Sequence, residues 1–365
     1  MPELNKILSY AVKHGASDIH LNVGSPPAVR IDGTIRFLNS ENLADEDTLG
    51  FLDELMSPER KEVFLEHGDD DLAHNVSGLG RFRVNCMKQR GSVGIIMRHV
   101  KSKIFKFDEL NLPPVLERIA DMNRGLILIT GTTGSGKSTT LASIVDWINE
   151  RKRTHIVTLE DPIEFLHVNK KSIVTQREVS IDTQNFYVAL RAMMREDPDI
   201  ILIGEMRDAE TFQAAISAAE TGHLVFTTLH TTNVMLTIDR ILDMFPSNQH
   251  DQVRSQISLQ LHACVSQRLI PSIDGKGRVP SVEVMLNNPG IAGLIKENNL
   301  KQIPNAIAGG KEIGMQTFNM SLVELIKAGL VDKDDARLAS DNPEELDMNL
   351  QGIFLSQGRG GILKR

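Results

Sequence analysis

The stretch GLILITGTTGSGKSTTLASIVDWI, residues 125–148, decides the fold of this chain. An apolar run, GLILIT, passes directly into a glycine-rich turn, and a helical pattern follows. This is the motif G-x-x-x-x-G-K-[ST] between a strand and a helix, in which backbone N–H groups turn inward around phosphates. We expect Lys137 to reach the β- and γ-phosphates and Ser138 to supply an oxygen to Mg²⁺. The predicted nucleotide ligands are Gly131, Thr132, Thr133, Gly134, Ser135, Gly136, Lys137, Ser138 and Thr139.

Apolar runs alternate with helical patterns after residue 125. HIVTLE, DIILIG and HLVFTT follow GLILIT, and helical segments of about 10–15 residues separate them. Such short apolar runs, without strict alternation of apolar and polar residues, are typical of parallel strands covered on both faces. The sequence therefore predicts an α/β core with the phosphate-binding turn at the carboxyl edge of its sheet.

Carboxylates follow two of these strands. HIVTLE ends in Glu160, and Asp161 and Glu164 follow it, so three carboxylates lie within five residues, while Glu205 comes directly after DIILIG. At the carboxyl edge of a sheet, carboxylates hold Mg²⁺ through water or orient an attacking water. For the first group, a solvated acidic turn is the alternative.

Arginines and histidines surround the same strands. Arg195 precedes DIILIG and Arg207 follows it, where each is either an ion-pair partner of a nearby acid or a phosphate contact. His223 and His230 bracket the run LVFTTL, and a neutral imidazole at this edge would sense the terminal phosphate. We expect both histidines to serve the nucleotide site, His230 as a catalytic group.

The rest of the chain divides by composition. Residues 1–100 predict a small α+β unit with a helix at Pro2–His14 and a hairpin turn at Asp32–Gly33. The polar stretch 101–113 is predicted as a linker. Beyond residue 232 the pattern is mostly helical, including 252–270, and the polar tail after 341 is predicted to be poorly ordered.

Composition excludes several classes of protein. A formal net charge of −8 with one Trp and two Tyr argues against a broad nucleic-acid surface. The two cysteines, Cys86 and Cys264, build neither a disulfide framework nor a cysteine zinc site. No apolar run approaches the roughly 18 residues that span a bilayer, and the start of the sequence lacks the pattern of a signal peptide. We expect a cytoplasmic protein.

Four motifs in order carry a resemblance to a known family. GTTGSGKS, LEDPIEF, REDPDIILIGEMRD and ETGHLVFTTLHT resemble the Walker A, Asp box, Walker B and His box of bacterial secretion ATPases. Within that superfamily the chain is most similar to the type IV pilus retraction ATPases, PilT and its paralogue PilU. The resemblance implies a PAS-like domain at 1–100, a linker at 101–113, a RecA-like P-loop ATPase core at 114–285, a helical region at 286–340 and a flexible tail at 341–365.

The family also implies how the chain works. It implies a homohexamer that hydrolyses Mg-ATP held between neighbouring subunits, with Glu164 as general base and Glu205 supporting Mg²⁺ and water. Arg81, Arg83 and Arg98 become candidates for completing a neighbour's site. Their alternation along strands equally suits a solvated sheet face. The implied location is the cytoplasmic side of the inner membrane at the pilus base, in peripheral contact with the pilus platform protein.

One departure from the family pattern bears on the role. PilT proteins carry AIRNLIRE where this chain has GIAGLIKE, residues 290–297, so Ala292 and Gly293 replace an arginine and an asparagine. Polar donors are thereby lost while the apolar spacing of the helix remains. This favours a PilU-type accessory motor beside a PilT-type partner, and drift of the motif is the alternative. The absence of a CxxC…CxxC zinc insertion favours retraction over assembly. A nucleic-acid translocase and a weakly hydrolysing regulatory subunit are the other functions considered.

Overall fold

The computed structural model describes residues 3–31, 33–100 and 103–352. They form two compact units. The first contains the chain up to Lys103 together with Glu164–Leu166, and the second contains Ile104–Ile163 and the chain from His167 onward.

The first unit is an antiparallel sheet with three helices. Its strands lie in the order β3-β2-β1-β6-β5-β4, and every neighbouring pair is antiparallel. Alternation along β5 buries Phe82, Val84 and Cys86 in the core that the helices cover, whereas Arg83 faces away. The elements are α1 (Leu4–Lys13), β1 (Asp18–Asn22), β2 (Ala28–Ile31), β3 (Thr34–Phe37), α2 (Asp45–Leu55), α3 (Pro58–His67), β4 (Asp69–Val76), β5 (Gly80–Gln89) and β6 (Ser92–His99).

Most of this unit follows the sequence prediction. The strands expected around GRFRVN and SVGIIM are β5 and β6, and the predicted first helix is α1. β4 was not predicted, because its acidic sequence DDDLAHNV has a low strand propensity that pairing with β5 overrides. Asp32 of the predicted turn lies outside the described residues, but Ile31 and Thr34 pair across the β2–β3 hairpin as expected.

The second unit is a seven-stranded sheet flanked by helices. The strand order is β13-β12-β7-β11-β10-β8-β9, and all neighbours are parallel except β12 and β13. The strands are β7 (Gly125–Thr130), β8 (His155–Glu160), β9 (Ile173–Glu178), β10 (Ile200–Ile203), β11 (Leu224–Leu229), β12 (Leu261–Pro271) and β13 (Arg278–Leu286). The helices are α4 (Val115–Ala120), α5 (Lys137–Arg151), α6 (Phe186–Met193), α7 (Ala209–Glu220), α8 (Val234–Leu242), α9 (His250–Gln260), α10 (Pro289–Lys296), α11 (Ile303–Gly309), α12 (Phe318–Lys327), α13 (Lys333–Ala339) and α14 (Pro343–Leu350).

The core of the second unit lies on both faces of this sheet. Every residue of β7, β10 and β11 is buried, which is why these strands show no alternation in sequence. The chain is therefore an α/β protein whose larger unit is consistent with a RecA-like ATPase core. Among the described residues no helix is both long and apolar enough to cross a bilayer.

Three predictions about local structure were wrong. The segment 252–270 is not one helix, because α9 ends at Gln260 and β12 continues the chain between β7 and β13, where sheet pairing overrides the helical pattern. The predicted linker is too long, since Phe107 and Leu112 are buried in the core of the second unit. The predicted tail contains α14, whose Leu346 is fully buried, whereas residues 353–365 lie outside the described part.

Candidate active site

The glycine-rich turn joins β7 to α5. Gly131 has φ 147°, and a Cβ there would lie 2.6 Å from the Gln267 carbonyl oxygen, so the backbone approaches β12 too closely for any side chain. Gly136, at φ 94°, precedes the first residue of α5 in the left-handed conformation. The turn therefore presents backbone N–H groups at the positive end of a helix, which is an anion-binding arrangement.

Lys137 is folded over this turn. Its Nζ donates to the carbonyl oxygens of Gly131 at 2.8 Å and Thr132 at 3.1 Å. The Ser135 hydroxyl is buried and has no hydrogen-bond partner among the described residues. A cationic group, an unpartnered hydroxyl and the start of α5 converge here, so these residues fit the phosphates of a nucleotide.

Glu205 and His230 meet beside the turn. His230 Nε2 lies 3.3 Å from Glu205 Oε1, and His230 Nδ1 lies 3.5 Å from the Thr133 hydroxyl. Arg207 Nη2 donates to Glu205 Oε2 at 2.9 Å. Burial raises the pKa of the Glu205 carboxyl, but Arg207 and His230 outweigh it and hold that pKa below its ordinary value. Glu205 is thus held as a carboxylate within reach of the phosphate-binding turn.

Sheet order explains why these distant segments meet. The turn, His230 and Glu205 come after β7, β11 and β10, and Glu160 is the last residue of β8; these four strands are consecutive parallel neighbours. The carboxyl ends of parallel strands share one edge, where the ligands of such sheets bind. Glu160 Oε1 accepts hydrogen bonds from the Thr158 hydroxyl and from Gln176. Asp161 is exposed, and its negative charge adds to that of Glu205 in raising the pKa of the Arg207 guanidinium.

His223 is a correction to the sequence prediction. It lies before β11, and its carbonyl accepts from Gly125 at the start of β7, so it sits at the amino edge of the sheet. Its Nδ1 contacts the Ala218 carbonyl oxygen at 2.9 Å and the Thr221 hydroxyl at 3.1 Å. The prediction that His223 binds the nucleotide is wrong, because the six residues of β11 separate it by about 20 Å from the edge that carries the turn.

The remaining predicted residues lie in the first unit. Arg98 Nε donates to Asp18 at 2.8 Å, and Arg83 is the exposed cross-strand neighbour of Arg98. Arg81 lies on the same strand as Arg83, two residues before it. Glu164 is exposed and groups with this unit. Their roles at a nucleotide remain predictions.

Sequence reasoning missed the contribution of β12 and β13. Gln267 lies against the glycine-rich turn, and Glu283 accepts from the Val234 N–H at 2.8 Å at the start of α8. The missed signal is the sequence DGKG, residues 274–277, which separates two apolar runs and is typical of a hairpin turn.

A bound Mg²⁺ has ligands available here. Ser138 is the second residue of α5, and the Glu205 carboxylate lies at the same edge of the sheet. Among the described residues no cluster of three or more His, Cys, Asp or Glu side chains is arranged to hold a metal by itself. The Ser138 hydroxyl and the Glu205 carboxylate would hold the ion together with phosphate oxygens and water, and the ion would neutralise phosphate charge.

The phosphate-binding turn on a parallel sheet, with Glu205 and His230 at the same edge, defines a P-loop nucleotide-binding protein. Residues 1–311 match the family model described as type II/IV secretion system protein. The chain is 45% identical over 342 residues to the type IV pilus retraction ATPase PilT of Pseudomonas aeruginosa, covering 94% of this chain and 99% of that protein. It is 38% identical over 349 residues to the pilus ATPase PilU of the same organism, covering 96% and 91%.

A solved structure agrees with these matches. The crystal structure of the pilus retraction motor PilT with bound ADP superposes with a TM-score of 0.87 at 48% identity, over 95% of this chain and 99% of that one. The chain therefore belongs to the type II/IV secretion system protein family and to its group of PilT and PilU ATPases, as its motifs indicated. The identities do not separate PilT from PilU, so the PilU-like assignment stays a prediction.

Proposed function

We propose that this protein is a Mg-dependent ATPase that drives or assists type IV pilus retraction, and so serves twitching motility and DNA uptake. The observation that carries the proposal is the contact series Thr133–His230–Glu205, which joins the phosphate-binding turn to a carboxylate two strands away. A loss of the terminal phosphate at the turn would reach both neighbouring strands through these contacts.

Each residue of the site has a proposed role. Lys137 and the turn hold the phosphates, Ser138 and Glu205 support Mg²⁺, and Glu205 orients the attacking water. Glu164 accepts the proton of that water as general base. His230 reports the state of the terminal phosphate. Removal of one catalytic carboxylate of this kind lowers rates by about 10²–10⁴-fold.

The working unit in this proposal is a homohexamer, and the first unit is a PAS-like domain that contributes an arginine to the neighbouring subunit's nucleotide. Arg83 is the arginine we favour. It is exposed and has no ion pair among the described residues, whereas Arg98 is held by Asp18. Burial raises the pKa of the Asp18 carboxyl, but hydrogen bonds from Arg98 and Ser17 lower it by more, so the net pKa is below its ordinary value. Asp18 is therefore a carboxylate that holds Arg98.

Helix α10 supports an accessory role like that of PilU. Ile291 and Ile295 are fully buried and Leu294 packs against the core, so the helix keeps its packing face. A Cβ at Gly293 would meet no atom within 4 Å, so packing does not require glycine there. The asparagine of the PilT motif is therefore absent at a position where a Cβ has space. We infer that the chain works beside a PilT-type ATPase at the inner-membrane pilus platform, on its cytoplasmic side.

The test is pilus retraction in a piliated bacterium whose own retraction ATPases are deleted. Three strains receive this protein alone, with a PilT, or with a PilT whose P-loop lysine is replaced. The accessory role predicts retraction only when a PilT is present, including the inactive one. Robust retraction by this protein alone would contradict the accessory role and keep the motor role, and no contribution in any strain would contradict both.

A matched variant tests the α10 argument. The double variant Ala292→Arg with Gly293→Asn restores the two polar residues of the PilT motif. At position 293 an added Cβ would meet no atom within 4 Å. We expect this double variant to gain retraction without a partner. Lys296→Ala, at an exposed site on the same helix, is the control and is expected to gain nothing.

A further inference from the structure

Arg268 lies on β12 between Gln267 and Leu269, the two residues that approach the phosphate-binding turn. A Cβ at Gly131 would meet the Gln267 carbonyl, and one at Gly136 would lie 3.8 Å from the Leu269 side chain. The side chain of Arg268 is only 21% exposed. A mostly buried guanidinium needs several partners to offset its desolvation, and its partners identify what it connects.

One of these partners belongs to the active-site loop. Arg268 Nη2 donates to the carbonyl oxygen of Thr232 at 3.3 Å. Thr232 lies two residues after His230, on the loop between β11 and α8. The guanidinium therefore contacts the backbone of the loop whose histidine bonds Glu205.

The other partners lie at the end of the described chain. Nη2 also donates to the Asp341 carboxylate at 2.7 Å, and Nη1 donates to the Ala339 carbonyl oxygen at 2.6 Å. The guanidinium carbon stands 3.9 Å from the centre of the Phe318 ring. All three residues follow residue 311, where the match to the family model ends.

These partners belong to one folded segment, the C-terminal helical segment, residues 317–350. Helices α12, α13 and α14 pack on the ends of β12 and β13 through a hydrophobic cluster of their own. Its buried members are Ile270, Val279, Leu322, Val323, Leu325, Val331, Ala336 and Leu346. The cluster is separate from the main core, and the Ser321 hydroxyl of α12 accepts a hydrogen bond from the Val282 N–H of β13.

We propose that Arg268 is a positioning residue that couples the His230 loop to the C-terminal helical segment. The proposal rests on the proposed ATPase function. The same nitrogen, Nη2, donates to Thr232 and to Asp341, so a displacement of the loop changes how the segment is held. By thermodynamic linkage, the position of the segment changes the loop, and with it His230, by the same factor. The C-terminal helical segment thereby responds to the state of the nucleotide site and also influences that state.

Hydrogen exchange on the full-length protein tests the coupling directly. Amides of residues 333–350 are followed with ADP bound and with a non-hydrolysable ATP analogue bound. We expect the exchange rates of these amides to differ by about fivefold between the two nucleotides. In Arg268→Ala the difference should vanish, although both nucleotides still bind.

Arg337→Ala is the matched control. Arg337 pairs with Asp347 inside the same segment and does not contact the His230 loop. This variant should raise exchange in α13 and α14 with either nucleotide but keep the difference between them. A purely structural role of Arg268 would make the two variants behave alike.

Hydrolysis provides a second readout. Arg268→Ala should lower kcat for ATP by about 3–10-fold with KM within about twofold, and Asp341→Asn should have little further effect in that background. Arg268→Lys keeps the charge but loses the fork, so it replaces the alanine variant if that one does not fold. A nucleotide-dependent difference that persists in both Arg268 variants, or that is absent from the parent protein, would overturn the coupling. A clear difference without any hydrolysis would instead contradict the ATPase function.

Discussion

The two edges of the seven-stranded sheet carry similar side chains in opposite settings. At the amino edge, His155 contacts the Asp197 carbonyl oxygen and the Thr175 hydroxyl, and Asp199 accepts from the His155 N–H. His223 likewise contacts the Ala218 carbonyl oxygen. At the carboxyl edge, the corresponding polar groups contact one another, with His230 between Glu205 and Thr133.

This difference shows that residue type alone does not identify a site. Carboxylates flank β10 and histidines flank β11 at both ends, but at the amino edge each of them bonds a backbone group: Asp199 accepts from the His155 N–H, and His223 contacts the Ala218 carbonyl oxygen. At the carboxyl edge, the side chain of His230 contacts the side chains of Glu205 and Thr133. These groups lie next to the start of α5, where a phosphate is favoured. Strand direction therefore separates the two histidines, and only His230 lies at the edge that carries the phosphate-binding turn.

The largest expected effect separates the carboxylates at the two ends of β10. Glu205→Gln should lower ATP hydrolysis by about 10²–10⁴-fold while ATP still binds, because it removes the charge that supports Mg²⁺ and water. Asp199→Asn keeps an acceptor for the His155 N–H and should leave hydrolysis within about twofold. Steady-state hydrolysis and nucleotide binding measured on both variants make the comparison. Equal losses would mean that the edges are not distinct.

A buried carboxyl at the carboxyl edge gives a pH-dependent effect on stability. Burial raises the pKa of Glu283 to about 7, although Val234 and Arg268 oppose the rise. A raised folded pKa favours the protonated form, so this group's contribution is present below pH 4.5 and is lost as pH rises through about 7. Glu283→Gln keeps an acceptor for Val234. It should match the parent near pH 4.5 and be more stable by about 3 kcal/mol at pH 8.

Urea unfolding at the two pH values measures this difference. Glu324→Gln, at an exposed position on α12, is the control and should show no pH-dependent gain. The compared quantity is the gain in free energy of unfolding of Glu283→Gln over the parent. An equal gain at pH 8 and at pH 4.5 would contradict a raised pKa of Glu283 in the folded protein.

The smallest expected effect separates the two histidines that flank β11, His223 and His230. His230→Ala should lower kcat by about tenfold, the equivalent of one lost hydrogen bond to a charged group. His223→Ala should leave kcat unchanged and lower the free energy of unfolding by about 1 kcal/mol, because the bond to the Ala218 carbonyl is lost. The two variants are compared by hydrolysis and by denaturant unfolding. A larger loss of kcat in His223→Ala than in His230→Ala would reverse the assignment of edges.

Local sequence predicted the centre of the fold and much of the site. The turn at Gly131–Ser138 and the four apolar strands were readable because each motif is short and contiguous. Glu205 and His230 were each predicted at the carboxyl edge, and they lie side by side there because adjacent parallel strands bring their carboxyl ends together. Contiguous motifs with a known direction therefore carry most of what a sequence alone reveals.

The errors arise where long-range pairing decides. β12 follows α9 without a break and its sequence looks helical, but it lies between β7 and β13, and pairing with both makes it a strand. The role of Arg268 depends on Thr232 and Asp341, which are 36 and 73 residues away, so no local pattern indicates it. The prediction for His223 failed because this residue precedes its strand, and a residue before a parallel strand lies at the amino edge of the sheet, away from the turn.

Nucleotide binding by the parent protein and by Lys137→Ala tests the central claim, that the carboxyl edge holds the phosphates, most directly. Titration calorimetry with ADP and with a non-hydrolysable ATP analogue, both with Mg²⁺, measures it, and Arg151→Ala, at the far end of the same helix, is the control. The account predicts saturable binding to the parent and to Arg151→Ala, and at least about 100-fold weaker binding to Lys137→Ala, since Lys137 supplies the buried cation of the turn. Unchanged affinity in Lys137→Ala would contradict it.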